Sequence, residues 1–409
     1  MPDILLYHQN FFDGMNLQCL KCKGRGFCGR QFCAIASKVR SQKRLNETAK
    51  QDFFGATPNI FIGRFGYPNI NVGILSTEQY NNHDAPLLWS KDNYQIQDII
   101  DLRTSLINST FKTGIKSFND RMLELSQEVS LASKPVDVEI NLDKKPFFHL
   151  NLQQDTAPHG PNVRLKKARL TENPKIPNKV EKLVSDPGLK AADAIELLRK
   201  DYDEHYLTKV LSVGNLGTAT ERKLVPTRWS ITAVDDIIGK QLAEEIKKYP
   251  QSDYLAFFGG YLGNYYLVLM FPYCWSYELF ETAVGENSSF STDYEGYDGR
   301  KEYADNTAGG YYAARHAILE KLSSIKRQSG VLALRFITSE YWAPLGVWVV
   351  RESTRKSMAS KPIEFASKEL MLKYAAAFIK KKFNFNINVL LKQSRLLDVM
   401  ERQKRIVDF

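Results

Sequence analysis

The sequence predicts an α+β protein: a mixed α/β core flanked by a small four-cysteine module at the N-terminus and a flexible tail at the C-terminus. Three observations predict it. Four of the five cysteines crowd into one short stretch. Apolar runs of strand and helix character follow one another without regular β-α-β alternation. The last seven residues form a compact pattern of one glutamine and two spaced apolar side chains.

The cysteines are Cys19, Cys22, Cys28 and Cys33, spaced C-x2-C-x5-C-x4-C. The close pair turns two thiolates toward one point, and Gly24, Gly26 and Gly29 let the backbone bend to bring the other two back. Four converging thiolates suit tetrahedral Zn2+ and leave no open position for a substrate, so the metal is expected to fold the segment rather than to catalyse. Two disulfides, a redox C-x-x-C and an iron–sulfur cluster are the competing readings. Lys21, Lys23, Arg25 and Arg30 between the ligands offset the negative centre. Cys274, alone among Pro272, Tyr273 and Trp275, reads as a small buried residue.

Residues 57–75, with Gly63, Gly66, Pro68 and Gly73 punctuating β-type residues, read as strand and turn. Residues 40–56 read as a charged linker, 93–131 as largely helical and 136–156 as extended. Helical patterns follow at 178–211, with Leu183, Leu189, Ile195, Leu197 and Leu198 as core, and at 230–249. Residues 254–271 read as a hairpin turning at Leu262-Gly263-Asn264. A helix is expected over 311–326, and a strand pair over 331–337 and 345–351, the second able to yield to a helix. These elements divide the chain into a cysteine module and basic linker (1–50), an α+β core (51–385) and a basic helix with its tail (386–409).

The 409 residues are 43% apolar, enough for a large core and a prior of about two domains. No run of about 18 apolar residues or secretory leader is apparent, so a cytoplasmic protein without membrane contact is expected. The net charge of +10 gathers at both ends: residues 15–50 and 351–409 each carry a net +8. Such ends suit a polyanion, and DNA contact is expected.

The chain closes on Gln403-Lys404-Arg405-Ile406-Val407-Asp408-Phe409. In a 3₁₀ turn, Ile406 and Phe409 eclipse each other to form one apolar plug, while Gln403 offers a donor and an acceptor. The arrangement resembles a PCNA-interacting peptide, which implies the sliding clamp as partner. The usual second aromatic is absent, because the chain stops after one.

Three polar blocks in the core are candidate nucleic-acid or nucleotide contacts. The first holds Arg64, Tyr67, Asn69 and Asn71 among glycines, where backbone would approach a phosphate closely. The second holds Arg222, Arg228 and Trp229, with Thr227 or Ser230 placed to cap a helix opened by Pro226. The third holds Arg351 and Arg355, four apart, with Glu340 nearby. Turn geometry, helix-start ion pairs and a solvated charged face are the plainer explanations of the same residues. Asp293, Asp298 and Asp305 fit no standard metal loop, and His316 reads as structural.

Taken together, CLKCKGRGFCGRQFC, IFIGRFGYPNINVG, RKLVPTRWSITAVDD, DNTAGGYYAARHAILE, EYWAPLGVWVVRESTR and the terminal QKRIVDF resemble the archaeal NreA family. The resemblance spans nearly the whole chain and implies a DNA-repair role, a cysteine-cluster module and recruitment by the clamp. It assigns no catalytic residue. An enzyme acting on DNA or nucleotides, a nuclease or a nucleotidyl- or ADP-ribosyl-type transferase using the Arg/Asn/Tyr-rich core, is the alternative. A scaffold without DNA affinity is the third reading.

Overall fold

The structure, a computed structural model, describes residues 33, 36, 49–147, 159–285 and 289–402. Cys19, Cys22 and Cys28 of the expected zinc cluster, and Gln403, Ile406 and Phe409 of the terminal peptide, lie outside the described residues. Among the described residues, no helix is long and apolar enough to cross a membrane. Their strands and helices make the α+β class expected from the sequence. They fall into two compact units.

The first unit takes the described residues up to Ile238, with Ala343–Leu345. Its centre is a closed barrel of β1 (Asp52–Ile62), β2 (Asn69–Thr77), β3 (Ile107–Gly114), β5 (Asn162–Leu170) and β4 (Val136–Leu142), in that order. Neighbours are antiparallel except β3 and β5, which run parallel. Alternate residues fill the interior: Ile70, Val72 and Ile74 from β2, Val136, Val138, Ile140 and Leu142 from β4, Val163 and Leu165 from β5. In β5 the inward phase slips from Leu165 to Ala168, and the β4–β5 register shifts between Asn141 and Leu142, the signature of a bulge. Helices α1 (Pro86–Lys91) and α2 (Ile96–Ser105) precede β3. Helix α3 (Arg121–Leu131) joins β3 to β4, opens on the side chain of Asp120, and turns Leu123 and Val129 into the barrel core. A meander of three strands, a helix and a fifth strand parallel to the third is the strand order of the oligonucleotide/oligosaccharide-binding barrel.

Two expectations are corrected here. Residues 93–131 are not largely helical, because β3 lies between α2 and α3. Its Ile107, Thr110 and Thr113 are β-branched and favour extended backbone. The stretch 40–56 is not all linker, since β1 begins at Asp52 and buries Phe53 in the barrel. Residues 178–212 form three short helices, α4 (Asn178–Ser185), α5 (Ala191–Leu198) and α6 (Glu204–Ser212). Ile195 and Leu198 are buried as expected, but Leu197 points outward. Helix α7 (Thr227–Ile246) follows, and its residues up to Ile238 belong to this unit.

The second unit holds Gly239–Trp342 and the described residues from Gly346 onward. Its six-stranded sheet runs β11 (Ile363–Phe365), β6 (Tyr254–Tyr261), β7 (Asn264–Phe271), β10 (Gly330–Ile337), β8 (Ser276–Ala283) and β9 (Phe290–Glu295). The β6–β7 hairpin turns at Leu262 and Gly263, both with positive φ, as a type I′ hairpin turn requires. The run 345–351 is not a strand: helix α9 (Trp348–Met358) begins there, immediately after Gly346 at φ 104°.

One face of this sheet is apolar. Leu267, Leu269, Phe271, Phe280, Leu332, Leu334 and Phe336 pack on Met371, Ala375 and Ile379 of α10 (Lys368–Phe383) and on Leu390 of α11 (Asn388–Leu391). Helix α12 (Arg395–Arg402) completes that layer, and its first N–H groups are received by Glu278 of β8, which accepts from Arg395 at 2.9 Å and Leu396 at 3.1 Å. The opposite face carries buried charge. Arg335 pairs with Glu281 at 2.5 Å and donates to Asn264, and Arg315 of α8 (Ala308–Ile325) pairs with Glu295 at 2.7 Å. Gly310 is what lets α8 approach: an added Cβ would stand 2.6 Å from a Glu281 oxygen. Asp293 is also accounted for, since it accepts from the Thr307 N–H and hydroxyl, both at 2.8 Å, and pairs with Arg300.

Removing one partner of a buried ion pair strands the other, at a cost of about 3–5 kcal/mol. Glu281→Leu is therefore expected to lower the unfolding free energy from a urea titration by that order. Adding Arg335→Met is expected to restore much of the loss, read in the same titration.

Candidate nucleic-acid interface

The loop between β1 and β2 is only Gly63–Pro68. Gly63 donates to the Asn71 carbonyl and Asn69 to that of Gly66, both at 2.8 Å, and Gly66 takes φ 82°, a conformation that suits glycine. So tight a loop has no interior, and Phe65 and Tyr67 are left 74% and 43% exposed. The Arg64 guanidinium lies 4.9 Å from the centre of the Phe65 ring.

The loop is tied to a segment more than 150 residues further along. The Ile62 N–H donates to Thr227 Oγ1 at 2.8 Å, Ile115 donates to the Pro68 carbonyl at 3.1 Å, and Leu224 to that of Ile115 at 2.8 Å. These bonds bring Trp229, 45% exposed, to Tyr67, with ring centroids 5.6 Å apart. Arg228 beside it is exposed. Neither hydroxyl expected to cap the helix does so. The Thr227 oxygen is used by β1, and Ser230 Oγ donates to the Val225 carbonyl.

The barrel register extends this loop into a face. Outward-pointing residues line up across strands in rows about 6.8 Å apart, two residues along each strand. Asn69 stands against Gly114. Gly63, Asn71 and Lys112 form the next row. Phe61, Gly73, Thr110 and Arg164 form the third, and Asn59, Leu75, Asn108 and Asn162 the fourth. Phe61 is 44% exposed, and Lys112 and Arg164 are exposed as well. No acidic residue occupies any of these rows. The outward acids of the barrel are Asp52, at the far end of β1 from these rows, and Asp137 and Glu139 on β4, which pairs with both β1 and β5.

A titratable cluster borders the fourth row. Asn59 donates to Asp84, which pairs with Arg103 at 2.9 Å and with His205 of α6 at 3.1 Å. Burial alone would push the Asp84 carboxyl up. His205 and Arg103 outweigh it and hold the group well below the usual carboxylate range. Burial likewise would pull the His205 imidazole down, but Asp84 outweighs it and the net shift is upward. Lys209, one turn further along α6, donates to the Ala132 carbonyl, and burial brings its amine down to about 8.

Of the three sequence blocks, two meet. Arg64, Tyr67, Asn69, Asn71, Arg228 and Trp229 share this face or its edge. Arg222 leaves it, for its guanidinium donates to the carbonyls of Gly217, Val184 and Asp186. Arg351 and Arg355 belong to the second unit. Arg351 is buried, and Arg355 is engaged by Glu320 and Glu352 at 2.8 and 2.7 Å. Glu340 accepts from the Tyr265 hydroxyl, which burial and that bond push up to about 12. Phe61, Lys112 and Arg164 were missed. A signal for Arg164 existed in the alternation of NVRLKKARL, inward apolar and outward basic. Among the described residues no group of three or more His, Cys, Asp or Glu is placed to hold a metal.

The family model described as "Archaeal Nre, N-terminal" matches residues 27–291, and "Archaeal Nre, C-terminal" matches residues 295–409. The chain belongs to the archaeal Nre family. Three Nre relatives are similar to it over most of its length. "DNA repair protein NreA" of Haloferax volcanii is 38% identical over 336 residues, 77% of this chain and 80% of the relative. "DNA repair protein NreA" of Archaeoglobus fulgidus is 36% identical over 382 residues, 90% and 95% of the two. "DNA repair protein NreB" of the same organism is 32% identical over 406 residues, 96% and 100%. No solved structure matches. The two Nre family models meet near β9, inside the second unit, so the family's division of the sequence and the compact units of the fold differ.

The charge cluster beside the face has a pH signature. A raised imidazole stabilises the fold fully below its unfolded value of about 6.5 and loses that contribution as pH rises through the folded value. Asp84, held low, contributes throughout this window and is lost only in strong acid. The thermal midpoint of the wild-type chain is expected to fall as pH rises above about 6.5. His205→Gln is expected to flatten that part of the profile.

Proposed function

We propose that this chain is a DNA-repair factor that contacts nucleic acid and is recruited to it through the sliding clamp PCNA. The observation that carries the DNA contact is the exposed basic and aromatic surface where the loop Gly63–Pro68 meets Trp229, with ring centroids of Tyr67 and Trp229 5.6 Å apart. Exposed rings clustered on a polar surface are characteristic of interaction sites. The naming of the NreA and NreB relatives as DNA repair proteins supports the repair role. The basic termini, net +8 over 15–50 and +8 over 351–409, add long-range attraction to phosphate.

Recruitment rests on the terminal peptide, in which Gln403, Ile406 and Phe409 have the spacing of a clamp-docking plug. The metal assignment rests on the spacing and chemistry of Cys19, Cys22, Cys28 and Cys33, with zinc as the ion. The Cys33 sulfur accepts the Ala36 N–H at 3.5 Å.

Calorimetric titration into the sliding clamp of the same organism tests recruitment. Heat of binding is expected from the full chain and none from a chain ending at Arg402. Binding unaffected by the truncation removes the peptide from the mechanism. Metal analysis of the purified chain is expected to return one zinc and no iron per molecule, and Cys19→Ser with Cys22→Ser is expected to abolish it. A stoichiometric iron signal would replace zinc by a cluster.

A further inference from the structure

We propose that the outward face of β1, β2, β3 and β5, with the loop Gly63–Pro68 and Trp229, binds single-stranded nucleic acid by stacking its bases. The inference rests on the nucleic-acid contact proposed above and names its substrate. Four aromatic side chains on this surface are substantially exposed: Phe61, Phe65, Tyr67 and Trp229. Cations alternate with them: Arg64 at the Phe65 ring, Lys112 and Arg164 in the strand rows, and Arg228 beside Trp229.

The two kinds of residue divide the work by chemistry. Lys and Arg take phosphates of any nucleic acid and impose a salt dependence. An aromatic face takes a base only when the base has left its own stack, and each such contact is worth much in affinity with little dependence on sequence. In a duplex the base faces are covered by their neighbours, so the rings of this face would find no partner there. Asn69 and Asn71 add donors and acceptors at base or sugar edges without carrying charge.

Charge favours a polyanion over a basic or apolar protein partner. The rows hold no carboxylate, and the nearest buried one, Asp84, is neutralised by Arg103 and His205. Asp137 and Glu139 of β4 stand opposite Ala56 and Phe54 of β1, outside the rows, and Glu139 lies 4.0 Å from Arg169 of β5. The strand register sets these acids against the opposite ends of β1 and β5 from the basic rows.

The test is fluorescence anisotropy of the full chain with a labelled mixed-sequence 20-nucleotide DNA strand, the RNA of the same sequence, and the DNA duplex. At least one single strand is expected to bind about tenfold or more tightly than the duplex. Trp229→Ala and Phe65→Ala are each expected to weaken strand binding by about tenfold and leave duplex binding unchanged. Trp229→Phe is expected to retain affinity while losing the quenching of intrinsic fluorescence that the strand causes in the wild type. These side chains are exposed, so the variants are expected to melt like the wild type. The DNA and RNA arms tell which sugar the face takes. Equal affinity for strand and duplex, or strand binding untouched by Trp229→Ala and Phe65→Ala, overturns the inference and returns the DNA contact to the basic ends. Retention of no nucleic acid at low salt overturns the inference and the proposed DNA contact together, while clamp binding through the tail is measured independently.

Discussion

Closure of the barrel depends on a short parallel seam. Only Asn108, Ser109 and Thr110 of β3 meet Asn162, Val163 and Arg164 of β5. Parallel strands cannot be joined by a tight turn and need a long crossover. Here the crossover comprises α3, β4 and the connection that follows. The seam is reinforced where it starts: Asn108 Nδ2 donates to Asn162 Oδ1 at 2.6 Å, and the Asn108 N–H to the Pro161 carbonyl at 2.9 Å. Gly160 makes the approach possible, because a Cβ there would overlap the Leu106 carbonyl. Without this seam Arg164 would not stand in line with Thr110 and Phe61, and the outward surface would end at β3.

The second unit solves a different problem. Its sheet is covered on both faces, and one face carries charge into the interior. Arginine suits this role because its planar fork satisfies several acceptors at once. Arg335 uses Glu281 and Asn264, and Arg315 uses Glu295, which also accepts from Trp275 at 3.2 Å. The unusual sequence DNTAGGYYAARHAILE is explained by this interior. Thr307 meets Asp293, Gly310 clears Glu281, Arg315 reaches Glu295, and His316 is buried 3.3 Å from Glu320. Much of the polar composition that a large core can devote to a pocket is thus spent on holding this unit together.

Legibility in the sequence followed the strength of local signals. The hairpin over 254–271 was readable because two apolar runs flank a glycine turn, and α8 because its apolar residues recur with helical period. Strand β3 was hidden. INSTFKTG is short, polar on one side, and sits between two helices, the first ending at Ser105. The start of α9 was misread for the opposite reason. Its GVWVVR is rich in β-branched residues, yet Val349 and Val350 are buried on a helix, where packing overrides propensity.

The sequence by itself determined the chemistry available: four cysteines at metal-ligand spacing, basic ends, a terminal docking pattern, and the blocks that resemble the Nre family. It also marked Arg64, Tyr67, Asn69, Asn71, Arg228 and Trp229 as residues worth placing. Only the tertiary structure decided that these belong together while Arg222, Arg351 and Arg355 do not. Hydrogen bonds from Ile62 to Thr227, from Leu224 to Ile115 and from Ile115 to Pro68 of the loop join segments far apart in the chain. Strand register then aligns Lys112 and Arg164 with them. Pairing between distant strands leaves no trace in local periodicity, so a surface built from several strands becomes visible only once the barrel is closed.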